Sequence, residues 1–407
     1  MQDTINNAMD NAWNYIWDKL FCPESKMFYD YITSREQSKR FGHLPTAEDI
    51  AANLPNPCGW GTGMEDCMLN AGSVMDILRI RKQLTGEDNL ASAIAVAEGI
   101  VRCATRHNKN GFIVRGMSYP AIQSCYTNSS LDQFTLAIYG AWRFIDSYQE
   151  APASVLKTVR EVICACADYC TETVTSQNDF NLLRLDGKKA QVSKIWHCSC
   201  HEYMRLPMIY TAAFNISGKK RYLDLANQYI HEALEKTSLL DNKDEWWDIP
   251  IVQMQISLYL VLESGVFPEM NEELSGIMDK VADFAGIELN KELKNAEDFQ
   301  GNWCELNTDW RTNRIFIQYG GIRGNGEGYR NPVFPDSYAI PNAILREIGN
   351  YLTTVALSPA KEPEAATLER VEEFLTKVDY LNYAGDAPVK LLHAYWSVMR
   401  RKAVITV

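Results

Sequence analysis

Apolar residues recur three or four positions apart through most of the chain, whereas the strict alternation of a half-buried strand is scarce. This pattern predicts an all-α protein. We predict twelve helices, over residues 3–21, 64–85, 88–107, 129–148, 152–175, 201–216, 219–236, 249–264, 270–286, 337–356, 364–378 and 386–402. The tenth contains Pro341, which removes a backbone hydrogen bond and predicts a kink if the helix begins near Ser337.

The links between these helices alternate in length. Long links precede the even-numbered helices, over residues 22–63, 108–128, 176–200, 237–248, 287–336 and 379–385, and short turns precede the odd-numbered ones. Short links make antiparallel neighbours, so this order brings all long loops to one end. We therefore predict one domain over residues 1–407, an (α/α)6 toroid of six helical hairpins. Its functional face should lie where the even helices begin, because long loops on a rigid scaffold carry binding residues.

Composition narrows the partners and the compartment. The 407 residues are 46% hydrophobic and carry a net charge of −12, which argues against nucleic acid or an anionic membrane as the main partner. Polar residues interrupt the first 21 positions, and no apolar stretch reaches the length of a membrane helix. The eleven cysteines are odd in number and scattered along the chain, which indicates reduced thiols. We predict a cytoplasmic protein, or a periplasmic or secreted one if a signal was removed; the oligomeric state stays open.

The predicted starts of the even helices carry acids. Thr62 to Glu65, Ser129 to Asp132 and Ser199 to Glu202 match the capping box, in which a hydroxyl and an acid three residues later bond each other's backbone. Asp248 and Asp386 each precede a proline by two positions, as an N-cap aspartate would. Capping thus explains these acids without chemistry.

The same acids are also the candidates for proton transfer, which needs two carboxyl groups in different environments. The candidates are Glu65, Asp66, Asp132, Glu202, Asp248, Asp309, Glu327 and Asp336. Asp132 leads, because it follows the aromatic Tyr126 and opens a predicted inner helix, and Glu65, Asp66 or Glu202 would supply the second carboxylate.

The tract from Trp196 to Glu202 has the densest chemistry, with two histidines and two cysteines in seven residues. A zinc site would need a second cluster of ligands, which the sequence lacks, so we expect no metal and no cofactor. His201 is instead a candidate for acid–base catalysis or substrate binding, with a structural histidine as the alternative. Arg205, one turn later, would face the same side.

Aromatic residues concentrate in the long loops, although core aromatics normally fall within helices. We predict that Trp60, Tyr126, Trp196, Trp246, Trp247, Trp303 and Trp310 contact a ligand such as a sugar. In the last long loop, Arg311 and three further arginines offer a fork for a carboxylate, for instance of a uronic acid, with a solvated loop as the alternative. Residues 314–319 there are typical of one strand of a hairpin.

At this level the chain resembles the six-hairpin glycosidase superfamily of (α/α)6 barrels. The resemblance rests on the helix rhythm and on the tracts Gly59-Trp60-Gly61-Thr62-Gly63-Met64-Glu65-Asp66, Asn128-Ser129-Ser130-Leu131-Asp132-Gln133 and Ser217-Gly218-Lys219-Lys220-Arg221-Tyr222-Leu223. Members that resemble unsaturated glucuronyl and rhamnogalacturonyl hydrolases use an aspartate near an inner-helix start as general acid/base, and Asp132 is the matching position. Trp60-Gly61-Thr62-Gly63 differs from their Trp-Gly-Arg-Gly tract at the arginine.

The sequence thus predicts a carbohydrate-active enzyme, a glycoside hydrolase acting on a small oligosaccharide, for instance one that contains a uronic acid. One alternative is a cytoplasmic sugar epimerase resembling the N-acylglucosamine 2-epimerase group, with His201 and His393 as acid and base. A polysaccharide lyase and a non-catalytic glycan-binding protein are the others.

Overall fold

The computed structural model describes residues 2–119, 121, 124–240, 247–319 and 329–405. Its α-helices are α1 (Gln2–Tyr15), α2 (Ala47–Ala51), α3 (Cys67–Thr85), α4 (Leu90–Thr105), α5 (Leu131–Ser147), α6 (Ala153–Thr173), α7 (Arg205–Ser217), α8 (Lys220–Ser238), α9 (Asp248–Ser264), α10 (Asn271–Asp298), α11 (Asp336–Leu357), α12 (Ala365–Leu375) and α13 (Ala387–Ile405). The protein is mainly helical, which confirms the predicted all-α class.

Each of the twelve predicted helices is present, and α2 is an additional short helix. The largest difference is in α10, which continues to Asp298, twelve residues beyond the predicted end. The segment after α1 is a π-helix, Ile16–Leu20. Pro341 lies inside α11, as the sixth residue of the helix. Helical periodicity therefore identified the helices well, and their ends less well.

Six helices, which we call the core helices, pack in chain order: α3 on α5, α5 on α7, α7 on α9, α9 on α11 and α11 on α13, and α13 also packs on α3. The other long helices contact the core helices or one another from outside. For example, α4 packs on α3, α8 on α7 and α10 on α11.

Burial separates the two sets of helices. In α9, every residue from Pro250 to Val261 is buried, as expected for a helix surrounded by protein. In α8, by contrast, the buried residues form one stripe that includes Tyr222, Ala226 and Ile230. The core helices therefore form the interior, and the others cover it with one apolar face.

Glycines allow two core helices to approach closely. A Cβ on Gly72 of α3 would lie 2.2 Å from the carbonyl oxygen of Leu136 in α5, and one on Gly140 of α5 would lie 2.8 Å from the Cα of Gly72. Because these distances are impossible for a real side chain, the α3–α5 crossing requires glycine at both positions. This contact fixes the position of the two helices that begin with the candidate acids.

Strands are short and pair only as hairpins among the described residues. They are β1 (Phe21–Cys22) with β2 (Met27–Phe28), β3 (Asn181–Leu183) with β4 (Lys189–Lys194), and β5 (Phe316–Tyr319) with β6 (Tyr329–Pro332). The last pair confirms the strand predicted within residues 314–319, while residues 320–328 between its strands, with the candidate acid Glu327, lie outside the described residues. In the described part of the chain, none of the helices combines the length and apolar character needed to cross a bilayer.

Candidate active site

Two adjoining cavities lie where the core helices begin. The first, of about 270 Å³, reaches down between the helices to His393, and we call it the deep compartment. The second, of about 260 Å³, is bordered by loop residues such as Trp60 and Trp247, and we call it the rim compartment. Glu65, Asp66 and Ile249 line both. These shared residues mark the boundary between the two compartments.

The predicted capping boxes are wrong. Helix α3 begins at Cys67 and α5 at Leu131, and neither Asp66 nor Ser130 accepts a capping hydrogen bond through its side chain. Helix α7 begins only at Arg205, also without a side-chain cap. The acids predicted as caps are thus available for other contacts, because the helices begin two to four residues later than the predicted starts at residues 64, 129 and 201.

Of the two predicted aspartate caps, Asp248 differs from expectation. Trp247 is the N-cap of α9, and Asp248 lies in the first turn, where its buried carboxylate accepts from Arg346 Nε at 2.9 Å and from Asn350 Nδ2 at 2.8 Å. Asp386 immediately precedes Ala387, the first residue of α13, which is the position predicted for it, and it also lines the deep compartment. Asp248 is thus an ion-paired residue of the first turn rather than a cap.

Asp30 organises the chain before α3. It lies just beyond β2 and is 8% exposed, and its two carboxylate oxygens accept the backbone N–H groups of Glu65 at 2.8 Å and Asp66 at 3.1 Å. Burial, together with the neighbouring Asp66 and Glu65, raises the pKa of Asp30 well above its ordinary value. This contact across 35 residues explains why α3 does not start at its apparent capping box.

Glu65 and Asp66 form the acidic boundary. Glu65 Oε2 accepts the backbone N–H of Gly61 at 2.8 Å, and Gln133 Nε2 donates to Asp66 Oδ1 at 3.1 Å. Arg115, over the face of Trp60, lies 4.0 Å from Asp66 Oδ1. Burial and the adjacent Asp66 raise the pKa of Glu65 to about 8. Glu65 is therefore largely protonated at neutral pH.

A second acidic group lies on the other wall of the rim compartment. Arg205, fully buried, pairs with Asp132 Oδ1 at 3.1 Å and with the carboxylate of Glu202. Burial raises the pKa of Asp132, against the opposing effect of Arg205. Burial also acts to raise the pKa of Glu202, but Arg205 and His201 outweigh it and lower that pKa. The two carboxyl groups thus share one arginine and differ in proton affinity.

The deep compartment adds charged groups that we did not predict. Lys390, on α13, is buried, and its ammonium donates to Asn70 Oδ1 at 2.9 Å. Burial lowers the pKa of Lys390, although Asp386 opposes the shift, and burial raises the pKa of Asp386. The Asp386–Lys390 spacing of four residues on one helix was a signal available in the sequence.

The aromatic residues predicted to contact a ligand divide into three groups. Trp60 and Trp247 line the rim compartment. The others pack elsewhere: Tyr126 donates to the carbonyl of Leu54, Trp196 packs between Tyr203 and Tyr229, Trp303 between Phe299 and Phe374, and Trp310 donates to the carbonyl of His43 at 2.7 Å. Trp246 lies outside the described residues.

Arg311 is also held by other groups. Its guanidinium donates to Asp49 Oδ2 and to the carbonyl of Leu44, both at 2.8 Å, and packs on Trp310. These contacts tie the last long loop to the segment containing α2. The cations at the cavities are instead Arg115 at the rim and Arg346 and Lys390 in the deep compartment.

The acids predicted as catalytic come together. Glu65, Asp66, Asp132 and Glu202 all line the rim compartment, and His201 contacts Glu202, with 3.1 Å between Nε2 and Oε1. In the described chain no three His, Cys, Asp or Glu side chains are arranged to hold a metal ion. Searches against protein-family models, curated proteins and solved structures found no match to this chain.

Proposed function

We propose that this chain is a single (α/α)6 toroid acting as a glycoside hydrolase on a short oligosaccharide. The architecture is supported by the chain-order packing of the six core helices, in which α13 returns to α3. The activity is supported by one observation above all: four carboxyl groups share a compartment with two tryptophans.

In the proposed reaction Glu65 and Asp132 form the proton-transferring pair. Glu65 has a pKa of about 8 and would donate a proton to the departing glycosidic oxygen. Asp132, held by Arg205, would take the proton of the attacking water. Asp66, whose backbone N–H donates to Asp30, would lie beside the sugar ring.

The remaining residues orient these groups and the substrate. Trp60 and Trp247 offer flat apolar faces to sugar rings at the rim. Arg205 acts through Asp132 and Glu202, because its side chain is fully buried between them. His201 likewise contacts Glu202, which makes it a positioning residue in this proposal.

The hydrolase is favoured over the epimerase by the positions of the two histidines. His393 lines the deep compartment, whereas His201 contacts Glu202 and packs beside Trp247 at 6.5 Å. An epimerase of the kind considered needs two imidazoles on one sugar ring. The four carboxyl groups of the rim suit acid–base hydrolysis better.

The decisive experiment replaces Asp132 by asparagine and measures release of reducing sugar from a broad oligosaccharide panel, including unsaturated uronides. Asn keeps a hydrogen-bond acceptor for Arg205 but cannot take a proton, so we expect turnover to fall by about 10²- to 10⁴-fold. The melting temperature should change little, because Asp132 does not cap α5 and the buried Arg205 keeps its ion pair with Glu202.

Asp168→Asn is the matched control, since it removes a carboxylate paired with Arg221 on the covering helices. It should retain full activity. Full activity in Asp132→Asn would contradict the assigned role. If the wild-type protein bound sugars of the panel but released no product, the glycan-binding alternative would replace the hydrolase.

A further inference from the structure

The lining of the deep compartment has two chemically different parts. Leu136, Ile249 and Val252, on α5 and α9, are apolar, whereas Asp30, Asp386 and Asn342 come from other segments and form what we call the polar wall. A pyranose ring has the same division, with C–H groups on its faces and hydroxyl groups around its edge. The volume of the deep compartment, about 270 Å³, is slightly below the range of about 300 to 1,000 Å³ that ligand pockets span. One small ring is therefore the size of ligand it suits.

Two polar side chains on the polar wall lack strong partners. Tyr338 is 6% exposed, and among the described residues its hydroxyl has no hydrogen-bond partner. Asp386, also 6% exposed, has no ion pair within 4.0 Å among the described residues, and it accepts one long hydrogen bond from Asn342 Nδ2 at 3.5 Å. Buried polar groups normally have good partners, so a ligand with several hydroxyl groups would complete this wall.

The amide of Asn342 is fixed in a matching orientation. Its Oδ1 accepts from the hydroxyl of Tyr383 at 3.1 Å and from the backbone N–H of Ala387 at 3.3 Å. Its Nδ2 is thereby directed to Asp386 and the cavity. The polar wall is thus a preorganised set of a carboxylate, an amide and a phenol.

Ion-paired side chains close the bottom of the compartment. His393 lies there at 2% exposure, and its Nε2 is 3.0 Å from Asp76 Oδ2. Arg79 and Arg143 surround the same carboxylate at 2.7 and 3.3 Å. A sugar chain entering from the rim therefore ends in the deep compartment.

We propose that the deep compartment binds the terminal sugar unit of the substrate through Asp386 and Tyr338, so that the enzyme removes single units from a chain end. This inference rests on the proposed hydrolase function. Cleavage would occur at the boundary formed by Glu65 and Asp66, with the rest of the chain against Trp60 and Trp247.

Two measurements test it. Isothermal titration with glucose, galactose, N-acetylglucosamine and glucuronate should find one monosaccharide that binds the wild-type protein. We expect Asp386→Asn to weaken this binding by about tenfold to a hundredfold, and Tyr338→Phe by about threefold to tenfold. Trp247→Ala should leave monosaccharide affinity unchanged, because Trp247 lines the rim compartment. Tyr338→Phe removes only a hydroxyl without a partner, so it should fold normally even if Asp386→Asn does not.

The second measurement follows the products of oligosaccharide cleavage over time, and a single sugar should be released from the first time point. Absence of monosaccharide binding, equal binding by Tyr338→Phe and wild type, or early release of longer products would overturn the inference. Hydrolysis with longer early products would leave the proposed function intact. Monosaccharide binding that depends on Tyr338, without hydrolysis of any oligosaccharide, would support this subsite and overturn the hydrolase.

Discussion

Helix α3 has one aspartate in its middle and another just before its start, and the surroundings of the two differ in their electrostatics. Asp76, in its middle, is fully buried and contacts Arg79, Arg143 and His393, and its pKa lies well below its ordinary value because these cations outweigh burial. At the start of the helix, Asp66 lies among Asp30, Glu65 and Asp386 with few cations nearby, and burial raises the pKa of all three.

The difference separates a structural carboxylate in the middle of α3 from the acids around the start of the helix. A carboxylate with several cations at 2.7 to 3.3 Å is a structural group, which stays ionised and holds helices together. Carboxyl groups crowded without matching cations cost stability, and such groups cluster at functional sites. His393 connects the two regions, since it lines the deep compartment and contacts Asp76.

The largest expected effect is the loss of stability when Asp76, the ion-paired carboxylate, is replaced. Replacing Asp76 by asparagine leaves two buried arginines without their carboxylate, so we expect the free energy of unfolding to fall by about 3–5 kcal/mol. Urea unfolding followed by circular dichroism measures it. Asp386→Asn is the matched variant, and it should cost less than about 1 kcal/mol or stabilise, because it removes like-charge repulsion. Equal losses of unfolding free energy in the two variants would contradict the distinction between the structural carboxylate and the crowded acids.

The next effect is on the pH dependence of stability, through Glu65. Its pKa is about 8 in the folded protein, above the ordinary 4.5, so the folded state holds a proton that the unfolded state has lost. Stability should therefore fall as pH rises from about 4.5 to about 8, by at most about 1.4 kcal/mol per pH unit. Urea midpoints across this range measure the slope, and Glu65→Gln should reduce it.

The same group should set the alkaline limit of activity. If Glu65 donates a proton, kcat/KM declines above about pH 8, where its carboxyl group ionises. Asp76 acts in the opposite direction on stability, since its lowered pKa makes its contribution disappear only in acid, as pH falls below its ordinary 3.8. A stability profile that rises between about pH 4.5 and 8 in wild type, and equally in Glu65→Gln, would show that Glu65 is not shifted in this way.

Much of the fold was predictable, because helical periodicity is a local property of the sequence. The acids at the starts of the core helices were predictable for the same reason, and Glu65, Asp66, Asp132 and Glu202 do share the rim compartment. Asp30 was not, because it acts from a loop without periodicity, 35 residues before Glu65. The capping motifs failed for the same non-local reason.

The loop tryptophans show another limit of prediction from the sequence. A tryptophan between helices was interpreted as exposed to a ligand, and Trp60 and Trp247 fit that interpretation. Trp310, however, is 4% exposed and holds two loops together through its indole N–H. Sequence alone does not distinguish these cases, because a long loop can bury its aromatics against another loop as well as against a substrate.

The smallest effect tests a paired charge outside the cavities. Arg311 was predicted to bind substrate but pairs with Asp49 and two backbone carbonyls, so Arg311→Met should lower the free energy of unfolding by about 1 kcal/mol. Its KM and kcat should match wild type, because methionine retains packing on Trp310 and changes no cavity residue. Arg115→Met is the matched variant at the rim, and it should raise KM, because Arg115 lies beside Asp66 and Trp60. A raised KM in Arg311→Met with unchanged stability would show that Arg311 binds substrate and would contradict its structural role.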